Sequence, residues 1–187
     1  MGALKAAGIV GDGLAFGIAR KIDAAFFGRD VASTAQLARL LDLVGVTDFN
    51  AGASWRNLDP FAEAIATAEG FGLSGDFSFV ANLADALLLA QLKESTGSNK
   101  PLFGADSPNP KRRVLQGVRL FTSPAVLEGT VWGIPKVRAL LVRRKSVEFA
   151  VDKSAYFTSD RTAIRATMRV GFTFPHTAAI QKIVLDP

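Results

Sequence analysis

The sequence predicts an α+β fold, with helices in its first half, strands in its second, and a polar connection between them. Three observations carry this. From Leu14 to Phe27 apolar residues recur at helical spacing. From Ile164 to Phe174 apolar and polar residues alternate without a break over eleven residues, a period of two that a helix does not produce. Between these regimes, residues 97–113 are rich in Gly, Ser, Asn, Asp and Pro and end on Lys111, Arg112 and Arg113, the composition of an exposed loop.

Leu14, Ile18, Ile22, Ala25 and Phe26 define one face of the first helix, Arg20, Lys21 and Asp23 lie elsewhere on its wheel, and Gly28 suits its C-terminal cap. A second helical stretch is expected around Ala35 to Leu43, stopping before Gly45. Asp59 as N-cap and Pro60 at the first helical position open a third helix through Ala62–Ala68, before Gly70. Phe77, Ser78, Phe79 and Val80 form a short buried-strand candidate. Asn82 then caps a helix carrying Leu83, Leu87, Leu88 and Leu92, with Asp85 placed as in a short-armed capping box and Gly97 as its end. Beyond the loop, strands are expected over Val118–Thr122, Ala139–Val142, Val147–Val151, Ile164–Phe174 and Ala179–Leu185. Pro175 closes the long strand because it cannot donate to a ladder. No internal repeat is present.

A chain of 187 residues suits one domain or two joined subdomains and can bury roughly 70% of its unfolded surface. Its 49% hydrophobic and 21% charged content is that of a folded globular protein. No apolar run approaches the ~20 residues that cross a bilayer, and no signal peptide with a cleavage pattern follows Lys5. With no cysteine, disulfides, thiolate metal sites and cysteine nucleophiles are excluded, and a reducing compartment is compatible. The single histidine, His176, removes most imidazole metal sites. The net charge of +5 is compatible with a nucleic-acid-facing surface, although a modest excess spread along the chain reads first as solubility.

Candidate chemistry is sparse. Gly11, Gly13 and Gly17 follow an apolar stretch, as in a dinucleotide-binding turn, but Phe16 occupies the sixth motif position, where a small residue is needed. These glycines read better as a loosened or bent start of the first helix. Residues 97–100 lack the upstream glycine of a phosphate loop, and Gly72-Leu73-Ser74-Gly75 misses a nucleophile elbow by one position. His176 reads as a turn residue at a strand end, and Asp152 and Asp160 as turn residues flanking strands. The clusters Lys111-Arg112-Arg113 and Arg143-Arg144-Lys145 carry no interleaved stacking aromatics, so they read as solvated charge or inter-subunit salt-bridge partners rather than a nucleic-acid module. No catalytic, cofactor or metal residue is assigned, and no cofactor is expected.

Four segments, in order, resemble the major capsid proteins of tailed bacteriophages with the Hong Kong 97-type fold, those of mycobacterial and other actinobacterial phages most of all. The helix Leu14 to Phe27, closing on Asp23-Ala24-Ala25-Phe26-Phe27, resembles the end of the family's spine helix. Asn82 to Leu102, with Leu92-Lys93, Gly97 and Pro101-Leu102, resembles its next helix and loop. Leu115-Gln116-Gly117-Val118 through Ser123-Pro124-Ala125 resembles the strand that follows, with Arg119 where many relatives carry proline. Phe157 to Arg161, the strand from Arg165 to Phe174 and Pro175 to Ala179 resemble the C-terminal signature.

The resemblance implies two subdomains: a peripheral one from residues 1–44 and 144–172, and an axial one from residues 45–143 and 173–187. It implies a structural subunit, not an enzyme, that self-assembles through pentamers and hexamers into an icosahedral shell in the bacterial host cytoplasm. Expected partners are other copies of the chain, packaged double-stranded DNA held non-specifically on the inner face, and scaffold and portal proteins, with no membrane. Arg161, Arg165 and Arg169 are the expected assembly-interface residues. Family members carry an N-terminal arm and an extended loop before the spine helix. Neither is recognisable here, so a truncated or prophage-derived form is expected and no cross-linking lysine is assigned. An encapsulin-like nanocompartment shell is the alternative, and an NAD(P)-binding oxidoreductase fragment the less favoured one.

Overall fold

The computed structural model describes residues 2–29, 38–73, 75–95, 97–102, 113–156, 159 and 161–186. The elements in chain order are α1 (Gly2–Phe27), β1 (Thr47–Asn50), α2 (Asp59–Gly70), β2 (Phe77–Ala81), α3 (Leu83–Gln91), β3 (Val114–Leu115), β4 (Val118–Thr122), β5 (Thr130–Pro135), β6 (Leu140–Tyr156), β7 (Arg161–Thr173) and β8 (Gln181–Val184). Six strands form a mixed sheet in the order β1-β8-β5-β2-β4-β3, and β6 and β7 form a separate two-stranded antiparallel ribbon. In the six-stranded sheet β1 is parallel to β8 and β2 to β4; the other pairings are antiparallel.

Strand β5 explains how the core is arranged. Every residue of Thr-Val-Trp-Gly-Ile-Pro is buried, because both faces of the sheet are covered there. Val131 packs on one side with Phe79, Ala81 and Ile183, beneath Phe61 and Ala64 of α2 and Ala86 and Leu89 of α3. Trp132 and Ile134 pack on the other with Leu40, Val126 and Ile180 and with Phe27, Phe172 and Phe174. A strand buried on both sides shows no alternation, so the sequence pattern does not mark it. The short strands β1 and β3 also escape sequence-based expectation.

Helix α1 extends twelve residues further toward the N-terminus than the apolar periodicity indicates. Gly11, Gly13 and Gly17 lie inside it with no strand before them, so the geometry of a dinucleotide-binding turn is absent. From Leu14 onward the predicted face, Leu14, Ile18, Ile22, Ala25 and Phe26, is among its less exposed residues, and Ala24 and the buried Phe27 join it. Gly28 (φ +85°) caps it, and the Gly28 and Arg29 amides both donate to the Ala24 carbonyl. The helix expected at 35–43 is corrected to a single 3-10 turn at Leu40–Asp42, residues 35–37 lying outside the described part. Helix α2 begins at Asp59 itself, with Leu58 as cap, and the Asp59 carboxylate accepts from the Asn57 side chain (2.6 Å) instead of a backbone amide.

The Asn82 cap is present: its side-chain oxygen accepts from the Ala84 amide (3.0 Å) while its side-chain nitrogen donates to the Val126 carbonyl (2.8 Å). Asp85 does not complete a capping box. It is buried and accepts from the Trp55 indole N–H (2.9 Å) and the Gly129 amide (2.9 Å). The first turn of α3 thus anchors both the segment before α2 and the β4–β5 connection. α3 ends at Gln91, six residues before Gly97, because the chain turns back there to form a bridge between Lys93 and Pro101.

The expected strands Ala139–Val142, from Leu140 on, and Val147–Val151 are parts of the single strand β6, whose pairing with β7 shifts register between Arg143 and Lys145, between Lys145 and Glu148, and between Asp152 and Tyr156. These irregularities hide the continuity from a period-two reading. Asp152 is therefore within a strand, where it accepts from the Ser154 amide and hydroxyl (2.8 and 2.6 Å), and Asp160 lies outside the described residues. β7 starts three residues before Ile164, and β8 is the shortened form of the expected Ala179–Leu185 strand.

One polar residue sits in the core without a partner. Gln181 is fully buried, and neither atom of its amide has a hydrogen-bond partner among the described residues. Opposite it, Gly133 leaves the room this side chain occupies: a Cβ there would lie 3.1 Å from Gln181 Oε1 and 2.5 Å from the tip of the Phe77 ring. Gln181→Met keeps the length and removes the unsatisfied amide, so it should stabilise the fold by about 1–2 kcal/mol. A urea titration measures this, and a lower midpoint would show that the amide has a buried partner such as an internal water.

Candidate assembly interface

Directly opposed residues of an antiparallel pair point to the same side, so the ribbon's register defines its two faces. One face carries the pairs Leu141–Phe172, Arg143–Val170, Phe149–Ala166 and Val151–Ile164. At its near end α1 covers Phe172: Phe26 packs edge-on against Phe172 (ring centroids 5.2 Å) and Phe27 (5.1 Å) and lies 5.5 Å from Phe174. Its far end is bare. Phe149 is 54% exposed, Val151 61% and Ile164 41%. The alternation in the sequence identifies this face correctly. It cannot show that the apolar stripe outruns the helix available to cover it.

The other face carries Lys145 opposite Arg169, Glu148 opposite Thr167 and Ala150 opposite Arg165. Arg165 and Arg169 are exposed and share this face, four residues apart. Arg161 opens the same strand opposite Tyr156, with its side chain outside the described part. Lys145, opposite Arg169, is paired with Glu148 (2.6 Å), which neutralises it on this face. Of the basic clusters, Arg143, Arg144 and Lys145 are exposed on β6, Arg113 is exposed before β3, and Lys111 and Arg112 lie outside the described residues.

A third uncovered surface is the outer side of α3, where Leu83, Leu87 and Leu88 are each half or more exposed. Nothing in the described part assembles catalytic geometry. His176 lies half-buried at the end of the ribbon, edge-on to Phe71 (5.1 Å), as a turn residue would. Among the described residues no three His, Asp or Glu side chains converge as metal ligands, and no helix is long and apolar enough to cross a membrane.

A mixed sheet with helices on one face, a long helix and a long β-ribbon is the fold of tailed-phage capsid subunits, the Hong Kong 97-type fold. The capsid of an empty GTA particle aligns with a TM-score of 0.72 at 16% identity, covering 96% of this chain and 66% of that one. The Gordonia phage Cozz structure aligns with a TM-score of 0.69 at 16% identity, covering 99% and 65%. A virus-like particle from Pyrococcus furiosus aligns with a TM-score of 0.59 at 14% identity, covering 88% and 61%. This chain thus spans about two thirds of the length of these subunits. No curated protein matched the sequence. The phage capsid family matches residues 3–185, and the chain belongs to that family.

Proposed function

We propose that this chain forms the body of a major capsid protein, a subunit that self-assembles through pentamers and hexamers into the icosahedral shell enclosing phage DNA. The observation that carries this reading is the match to the phage capsid family over residues 3–185. Apolar residues left bare on the ribbon and on α3 support it, because large exposed apolar patches mark surfaces that a partner covers. A shell subunit acts by presenting fixed surfaces to further copies of itself, so the reading needs no catalytic centre. The peripheral subdomain, residues 1–44 and 144–172, takes α1 and most of the ribbon, and the axial one, residues 45–143 and 173–187, takes the six-stranded sheet with α2, α3 and the ribbon's base. Assembly takes place in the host cytoplasm, and the finished shell is the virion's, with packaged DNA, scaffold and portal as its other partners. A nanocompartment shell is the weaker reading, since the virus-like particle aligns with a lower TM-score than the GTA and Gordonia phage subunits.

Electron microscopy of the purified chain tests self-assembly directly, and regular closed shells would establish it. Arg165 and Arg169 are proposed interface residues, Arg161 with them. The double variant Arg165→Glu/Arg169→Glu should lose particles entirely while its circular dichroism and melting stay those of the parent, because both side chains are exposed. Intact particles from that variant would remove the arginines from the interface.

A further inference from the structure

The chain's charge is strongly segregated. Residues 140–173, the ribbon, hold seven Lys/Arg against three Asp/Glu, whereas residues 48–94, which include α2 and α3, hold two Lys/Arg against seven Asp/Glu. On α2 the buried face is Phe61, Ala64 and Ala68, and the outward face presents Asp59, Glu63 and Glu69, all exposed. At 100° per residue those three carboxylates fall within an arc of about 120°. Among the described residues the ion pairs are Arg39–Asp42, Glu94–Lys100 and Lys145–Glu148, so none reaches Glu63, Glu69, Arg165 or Arg169.

We propose that the polar face of the ribbon in one copy seats on the outward face of α2 in a second copy, with Arg165 and Arg169 facing Asp59, Glu63 and Glu69. The inference rests on the shell-subunit reading and adds the surface that receives the arginines. The spacings agree: Arg165 and Arg169 stand ~13 Å apart along a strand, and Asp59 and Glu69 ~15 Å apart along a helix. Ala62 and Ala66 on the helix side and Ala150 and Thr167 on the ribbon side are small enough to let the two surfaces approach. Because a ribbon contacts a helix and not another ribbon, the contact is head-to-tail, the kind that closes into rings when its rotation permits.

A charge swap tests the pairing, read by sedimentation velocity on the whole chain at low and high salt. The parent should associate with rising concentration, less so in salt. Arg165→Glu/Arg169→Glu and Glu63→Lys/Glu69→Lys should each associate at least about tenfold more weakly. Their equimolar mixture, and the fourfold variant, should regain the parental association. Melting curves confirm that each protein is folded, and Gln at the same four positions provides a milder pair expected to weaken association without rescue on mixing. A parent that stays monomeric, or charge-reversed variants that fail to rescue one another, overturns the pairing. Undiminished self-association of the arginine variant with lost binding to duplex DNA overturns it too and assigns the ribbon to the nucleic acid. Microscopy keeps the two levels apart. Particles from every variant alike leave the shell reading standing without this contact, and rescue of association with no particle from any protein does the reverse.

Discussion

Asp85→Ala should cost the fold about 3 kcal/mol or more, the largest loss expected from any single polar substitution in the chain. The carboxylate is only 2% exposed and accepts two hydrogen bonds, from the Trp55 indole and the Gly129 amide. Alanine leaves both donors without an acceptor, and a buried unsatisfied donor costs about 1–3 kcal/mol. It also opens a gap where Trp55, itself buried, packs against Phe61. Asp85→Asn is not a rescue. Its amide nitrogen would face one of the two N–H donors, so at most one hydrogen bond survives, and asparagine should recover less than half of the loss. Chemical denaturation measures both. Near-parental stability in Asp85→Ala would mean that water replaces the carboxylate and that α3 does not anchor its neighbours through this side chain.

Asp85 also shows where sequence reasoning stops. Its position three residues after Asn82 signals a helix start, which is correct, because caps are local and their partners lie within one turn. What the side chain bonds to depends on residues 30 and 44 positions away, which local spacing does not encode. The same division holds for the strands. β7 is legible because one face is apolar and the other polar. β5 is not, because α2 and α3 cover one side and the Phe26–Phe174 region the other, which erases the alternation. The ribbon's arginines are assigned to a common face by parity alone, and the register confirms it for Arg165 and Arg169. The carboxylates placed to receive them belong to a different element, and only knowing which side of α2 is buried reveals that Asp59, Glu63 and Glu69 point outward together.

Phe172→Ala should be the most damaging apolar substitution in the ribbon, at about 3–5 kcal/mol. Phe172 is buried where three parts of the molecule meet: Phe26 and Phe27 at the end of α1, Trp132 and Ile134 of the central strand, and the ribbon itself. A two-stranded ribbon is at best marginally stable alone, so β6 and β7 depend on this junction for their order. The loss should therefore be uneven. Amide protection should fall first along β6 and β7, while β2 and β5, held on their opposite face by the core cluster around Phe61 and Phe79, should keep theirs until global unfolding. Phe149→Ala is the control, with the same residue type on the same face of the ribbon but more than half exposed. It should change stability by no more than about 0.5 kcal/mol. Equal effects at the two positions would mean that the ribbon's apolar face is covered along its whole length. Strong loss at Phe172 alone makes the junction with α1 and the central strand the ribbon's internal support among the described residues and leaves the remainder of that face for another copy of the chain.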